Sequence, residues 1–272
     1  MERRQYLFGI GAAGMGMLGG CTDGSSSDES EDAPSGTEGD ETPPTESPLP
    51  TSSKYPPGTS ASGIDQPDTL INTTQRTLKQ NSYDVSYEMI DPTELPEPNN
   101  QIKDRYRSSL QDKRYLLTVE VPGQTNHALF FEGGVIYEKS VNNGETTYSA
   151  REVDSTFQEI HTSADVVSQL GEPEGLGGIL QLGNYKDNGI ATFNGQSVRQ
   201  FNLKSVNGEN IDGEIVESSG SVLLAPSGVV YSGMIRTKVR TSDGDKTFQI
   251  KFTINKLENV EISRPPWVEE QF

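Results

Sequence analysis

Hydrophobic and polar positions alternate along much of this 272-residue chain, and the period changes twice. Tyr83, Val85, Tyr87 and Met89 alternate with Asp84, Ser86 and Glu88, which predicts a strand with one buried face. Leu117, Val119 and Val121 alternate in the same way with Thr118 and Glu120. Residues 127–131 and 135–139 flank Gly133-Gly134 as the arms of a hairpin, and a short strand at 146–149 follows Asn142-Asn143-Gly144. The longest alternating run sets Phe248, Ile250, Phe252 and Ile254 against Gln249, Lys251, Thr253 and Asn255. Turns at Asn194-Gly195, Asn207-Gly208, Pro226-Ser227-Gly228 and Ser242-Asp243-Gly244 predict a series of strands from near Gly189 to the C-terminus.

Two stretches break the two-residue period. Residues 65–81 open on Asp, Pro and Asp and space Leu70, Ile71, Thr74 and Leu78 as one face of a helix. Between 154 and 184, Phe157, Ile160, Val166, Val167 and Leu170 fit one or two helices, and Leu176, Ile179, Leu180 and Leu182 fit another. Gly171, Gly175, Gly177 and Gly178 divide this region into short pieces. Alternating strands joined by polar turns predict a meandering antiparallel sheet, apolar on one face and polar on the other throughout. The apolar face needs a cover, and the helices supply it. The expected fold is therefore α+β: a large curved antiparallel sheet, a half-barrel meander, with helices over its concave apolar face.

Only 31% of the residues are apolar, and residues 22–53 account for much of the deficit. Of these 32 residues 13 are Ser or Thr, 9 are acidic and 5 are Pro, with no Lys or Arg. Such a segment cannot bury enough surface to offset the entropy of ordering, so it reads as a disordered tether. The formal net charge of -18 leaves about -10 on residues 54–272, which read as a single domain. An acidic chain repels phosphate backbones, so no nucleic acid is expected as a partner.

The first 21 residues explain the single cysteine. Arg3-Arg4 precede Gln5-Tyr6-Leu7-Phe8 and a mildly apolar run to Leu18. Twelve helical residues rise only about 18 Å against a hydrocarbon core of about 30 Å, so the run is an export signal and not a membrane span. The paired arginines resemble a twin-arginine signal. Leu18-Gly19-Gly20-Cys21 resembles a lipobox, which implies lipidation of Cys21 and attachment to the outer face of the cell membrane. Gly9-Ile10-Gly11-Ala12-Ala13-Gly14 fits the letters of a dinucleotide fingerprint, but no strand precedes it and no βαβ unit surrounds it.

Taken along its length, the chain resembles a family of haloarchaeal surface lipoproteins of unassigned function. The resemblance is carried by the signal and tether, by Tyr55-Pro56-Pro57-Gly58 leading to Gly63-Ile64-Asp65, and by the ending Leu257-Glu258-Asn259-Val260-Glu261-Ile262-Ser263-Arg264-Pro265-Pro266-Trp267. In strand and helix order it is more distantly similar to LolA-like and LppX/LprG-like lipoproteins. That likeness implies a half-barrel closed by helices, with a lipid or other apolar ligand carried between them. Val166, Val167, Leu170, Leu176, Ile179 and Leu180 would then line the cavity or, in the plainer reading, form ordinary core. With a filled core, the expected partner is an envelope protein.

Candidate chemistry is sparse. The two histidines, His127 and His161, have no Cys or His at metal-ligand spacing, so no metal site or cofactor is expected. No G-x-S-x-G elbow is present, and Asp243-Gly244-Asp245 reads as a hairpin turn and not as a calcium loop. Glu172-Pro173-Glu174 and Glu269-Glu270 read as solvated charge pairs, and the Gly171–Gly178 cluster has no following Lys to make it a phosphate cradle. The expected protein is not an enzyme. Asn72-Thr73-Thr74 is an N-glycosylation sequon on the first helix.

Overall fold

The computed structural model describes residues 54–90, 101–121, 126–142, 144–208, 211 and 213–272. The signal at 1–21, with Arg3, Arg4, Leu18, Gly19, Gly20 and Cys21, and the tether at 22–53 lie outside the described residues.

A small pair of strands, β1 (Thr59–Ser60) and β2 (Gly63–Ile64), leads into α1 (Pro67–Gln80). Pro67 fixes the first helical residue, and Asp68 and Lys79 complement the two ends of the helix dipole. The predicted face is the buried one: Leu70 and Leu78 are sealed from solvent with Ile71 and Thr74 beside them. Burial of each leucine stabilises by about 2 kcal/mol. Thr74 ties the helix to the sheet, donating its hydroxyl to the Leu70 carbonyl at 2.8 Å and accepting from the Val230 amide at 3.0 Å.

Six strands follow as hairpins or short connections: β3 (Tyr83–Ile90), β4 (Gln101–Ser109), β5 (Arg114–Glu120), β6 (Asn126–Glu132), β7 (Val135–Asn142) and β8 (Glu145–Glu152). Three short helices come next: α2 (Phe157–Ser163), α3 (Asp165–Ser168) and α4 (Leu176–Leu182). Thr156 and Glu159 close a capping box at the start of α2. A second meander, β9 (Gly183–Phe193), β10 (Gln196–Val206), β11 (Glu214–Leu224), β12 (Val230–Thr241) and β13 (Gly244–Leu257), ends in the C-terminal helix α5 (Pro266–Gln271). The two meanders join where β13 pairs antiparallel with β3, setting Ile254 opposite Val85, Phe252 opposite Tyr87 and Ile250 opposite Met89. The product is one curved, open sheet of 11 strands in the order β8-β7-β6-β5-β4-β3-β13-β12-β11-β10-β9. This is the expected half-barrel, with α1 to α4 over its apolar face.

Register sorts the inner face into rows. Tyr83, Ser108, Tyr115, Phe131 and Ile136 form one, and Ile254, Val85, Tyr106, Leu117 and Leu129 the next. Apart from Ser108 these are core residues packed beneath the helices. The next row runs Val222, Gly233, Phe252, Tyr87, Asp104, Val119 and His127, and beyond it lie Ile235, Ile250, Met89 and Ile102.

Three expectations need correction. The outer face is not polar throughout: Leu116 and Phe130 pack there with Val260, Ile262 and Val268 in a second small core. The segment after β13 crosses back over that face, held where Arg114 donates to the Ile262 carbonyl at 3.0 Å and the Ile262 amide donates to Asp112 at 3.2 Å. β9 begins at Gly183, directly after α4, and not near Gly189. A whole strand, β4, had no apolar alternation to announce it.

Candidate functional site

The six residues expected to line a cavity are all brought together. Val166 and Val167 lie on α3, Leu170 on the connection to α4, and Leu176, Ile179 and Leu180 on α4, each 0–1% exposed and within one hydrophobic cluster. Helix α1 holds α3 through the Gln75 side-chain amide, which donates to the Val167 carbonyl at 2.7 Å. The glycines of this region permit close backbone approach: a side chain at Gly178 would fall on the Pro173 carbonyl and one at Gly177 on the Gly171 carbonyl. Helix α4 seats on Gly233 of β12, where a side chain would meet Ile179 and Leu176. Asn72 is exposed on α1, while Thr74, two residues on, is fully buried.

Beyond the edge of α4 the inner face stays apolar. Tyr87, Met89, Ile102, Val119 and Ile250 are each half-buried, sharing two adjacent rows of the sheet. The Tyr87 hydroxyl is hydrogen-bonded to the backbone of Leu176, so this tyrosine marks the boundary between the covered and uncovered parts of the face. Its ring stands edge-on to Tyr106 with centroids 6.3 Å apart and leans on Phe252 at 5.2 Å.

One acid stands in this surface. Asp104 lies between Tyr87 on β3 and Val119 on β5, and its Oδ1 is sealed from solvent with no hydrogen-bond partner among the described residues. The other carboxylate oxygen is 3.5 Å from the Tyr106 hydroxyl, the outer limit of a hydrogen bond. Burial pushes its pKa up to about 7, the Tyr106 contact opposes the shift and the charge of Asp165 adds to it. Asp165, at the start of α3, is itself pushed up by burial. The Tyr115 hydroxyl, on a residue 1% exposed, also lacks a partner among the described residues. Cationic side chains of β4 do not reach this face, because Lys103, Arg105 and Arg107 alternate with Asp104 and project outward; Arg105 pairs with Asp84 there. His127, farther along the same row, is held by Glu138 at 2.7 Å.

His161 is a different arrangement. It is fully buried between Tyr83 and Phe157, with ring centroids at 5.2 and 5.7 Å, and its Nδ1 lies 2.7 Å from the Ser108 hydroxyl. Its Nε2 donates to the Lys79 carbonyl at 3.1 Å. Ser108 is fully buried too, so the pair has no substrate access and acts as a polar lock between α1, α2 and β4. Burial holds the His161 pKa below its ordinary value. Among the described residues no group of three His, Cys, Asp or Glu side chains is placed to hold a metal ion, and no helix is long and apolar enough to cross a membrane. On the outer face an open depression of about 450 Å³ crosses β4 to β7, with Lys103, Glu120 and Lys139 giving it mixed charge.

Asp104 is the residue that reading the sequence missed. Its strand, Gln101–Ser109, carries charge at four positions in five from Lys103 to Arg107, which hides the alternation. The available signal was the sign of the charges: the bases occupy 103, 105 and 107, whereas the acid shares its face with Ile102 and Tyr106.

No protein-family model and no curated protein sequence matches the chain. Among solved structures it is similar to the Mycobacterium tuberculosis lipoprotein LppX, at 10% identity and a TM-score of 0.37, over 72% of this chain and 97% of that one. A structure of MucB in complex with MucA aligns at 12% identity and a TM-score of 0.27, over 74% and 58% of the two chains. An outer membrane lipoprotein-sorting domain from Vibrio parahaemolyticus aligns at 7% identity and 0.14, over 75% and 98%. Likenesses at this level assign no family, and the fold stands on its own strand order and register.

Proposed function

We propose that the chain is a lipid-anchored, non-enzymatic envelope protein whose half-barrel shelters an apolar ligand, such as a membrane lipid, on its concave face. The observation that carries this reading is the continuation of the apolar inner face past the helix layer, through Tyr87, Met89, Ile102, Val119 and Ile250. A hydrocarbon chain laid on that strip removes apolar surface from water at about 25 cal/mol per Å² and extends the packing already made by α4. The anchor is Cys21, and residues 22–53 are the stalk between it and the domain.

Mass spectrometry of organic extracts from the protein purified out of its native membrane tests the ligand. A stoichiometric lipid or isoprenoid is the expected result, and its repeated absence overturns the carrier. Cys21→Ser tests the anchor, which is expected to release the protein from the membrane or block its processing; unchanged retention and mobility refute lipidation. The tight packing of the six residues on α3, its following connection and α4 favours a second reading, a filled-core protein that binds an envelope partner through its outer face. Crosslinking on intact cells then recovers a protein in place of a lipid.

A further inference from the structure

A half-buried acid stands within the inner strip between Tyr87 and Val119, and among the described residues no ion pair reaches it. Asp104, unlike the fully buried His161 and Ser108, is only half-buried as a residue, and among the described residues one of its oxygens has no partner; Asp165 adds a second carboxyl from the helix layer, and the Tyr115 hydroxyl nearby has no partner either. Buried polar groups are nearly always satisfied within the fold, so an unmatched carboxylate beside an apolar surface points to a group arriving from outside. The outward direction of Lys103, Arg105 and Arg107 leaves no β4 base to supply the missing charge from within. Aromatic rings flank the acid: Tyr87 and Tyr106 stand nearly perpendicular, at 85°. Negative charge next to aromatic rings favours an ammonium group over a phosphate, a sulfate or a sugar, since the ring quadrupole and the carboxylate act in the same sense.

We propose that Asp104, with Tyr87 and Tyr106, receives the ammonium head group of a cationic amphiphile whose hydrocarbon tail lies along Met89, Ile102 and Ile250. The assignment rests on the carrier reading above and names the ligand class for the same face.

Calorimetric titration of the full chain with three twelve-carbon probes below their micelle concentrations tests it: dodecylammonium, whose N–H groups can donate to the carboxylate, dodecyl sulfate and dodecyl maltoside. The ammonium probe is expected to bind one-to-one and about tenfold more tightly than the other two. Because the chain carries a net charge of -18, nonspecific attraction is separated with two single-charge variants. Asp104→Asn is expected to bring the ammonium probe down to the level of the maltoside, while Asp243→Asn, in the exposed turn before β13, leaves the preference intact. Tyr87→Leu, which keeps the acid and removes a ring, is expected to reduce the preference several-fold, with circular dichroism confirming the fold of each variant. If the maltoside binds as tightly as the ammonium probe, or if Asp104→Asn keeps the preference, the head-group site is overturned and the carrier stands. If none of the three probes binds, the carrier and the site fall together.

Discussion

Replacing Asp104 with asparagine isolates the energetic consequence of an acid held in an apolar face. The side chain keeps its size and loses its charge. In the folded protein burial raises the carboxyl from its ordinary 3.8 to about 7, whereas in the unfolded chain it titrates normally. Between these values the unfolded chain gives up its proton and the folded chain resists doing so, so stability falls as pH rises from about 4 through about 7. A shift of this size is worth about 4 kcal/mol, and the half-buried state of the residue as a whole makes that a ceiling. The groups around Asp104 are Tyr87 on β3, Tyr106 on its own strand, Tyr115 on β5, Asp165 on α3 and, farther along the row, the His127–Glu138 pair. Asp165 has its own upward shift and His161 a downward one, so the informative quantity is the difference between variant and parent at each pH. Urea unfolding at intervals from pH 4 to pH 8 should show nearly equal stabilities at the acid end. Asp104→Asn should gain progressively, by up to about 4 kcal/mol at pH 8. Parallel curves across the whole range would refute the burial of this carboxyl and, with it, the electrostatic basis of the ammonium site.

The remaining expectations concern the supporting structure. His161→Ala removes a ring stacked between two others and both of its hydrogen bonds, so thermal unfolding should show a loss of about 3 kcal/mol or more. Because the His161 pKa is lowered in the fold, its contribution is present above about 6.5 and lost as pH falls below that value; a variant with Gln at 161 should flatten this acid limb in the same melts. Gly178→Ala places a methyl group against the Pro173 carbonyl and should destabilise by about 2 kcal/mol, with faster amide exchange confined to residues 170–182. Ile262→Ala opens the outer core and should lower stability by about 3 kcal/mol. The only tryptophan, Trp267, lies against that core, so its fluorescence should red-shift in the same variant, and an unchanged spectrum would argue against the C-terminal cover.

Where the sequence is legible, the physics is local. The face of α1, the hairpin at Gly133-Gly134 and the alternation of β3 and β13 each follow from a period or a turn residue, and the structure reproduces them. The half-barrel is legible because regular turns leave an antiparallel meander as the simplest connection. What escapes is nonlocal. Val260, Ile262 and Val268 read as an irregular tail, and only the return of the chain over Leu116 and Phe130 gives them an apolar surface to cover. Gly177 and Gly178 read as helix breakers but lie inside the first turn of α4, required by the carbonyls of a connection that folds back on them. Asp104 escapes because a charged residue predicts solvent, and nothing in its neighbours along the chain reveals the helix layer that seals its oxygen.

The position of β3 beside β13 has a further consequence, for how the chain reaches this fold. Within each of the two meanders most strands pair with a neighbour in sequence, so their loops close cheaply. The junction is different: Asn255 of β13 bonds to Ser86 of β3 from 169 residues away. Closing a loop of that length costs about 4–5 kcal/mol of chain entropy before any contact repays it. That single closure falls in the middle of the sheet and involves its most C-terminal strand. Folding should therefore wait at a stage with two partly formed meanders, each exposing a central edge, and proceed once the C-terminal strand joins them. Until then Tyr83 and Val85 on one side and Phe252 and Ile254 on the other are unmatched apolar surface, making this seam the segment of the nascent chain most exposed to pairing with another molecule.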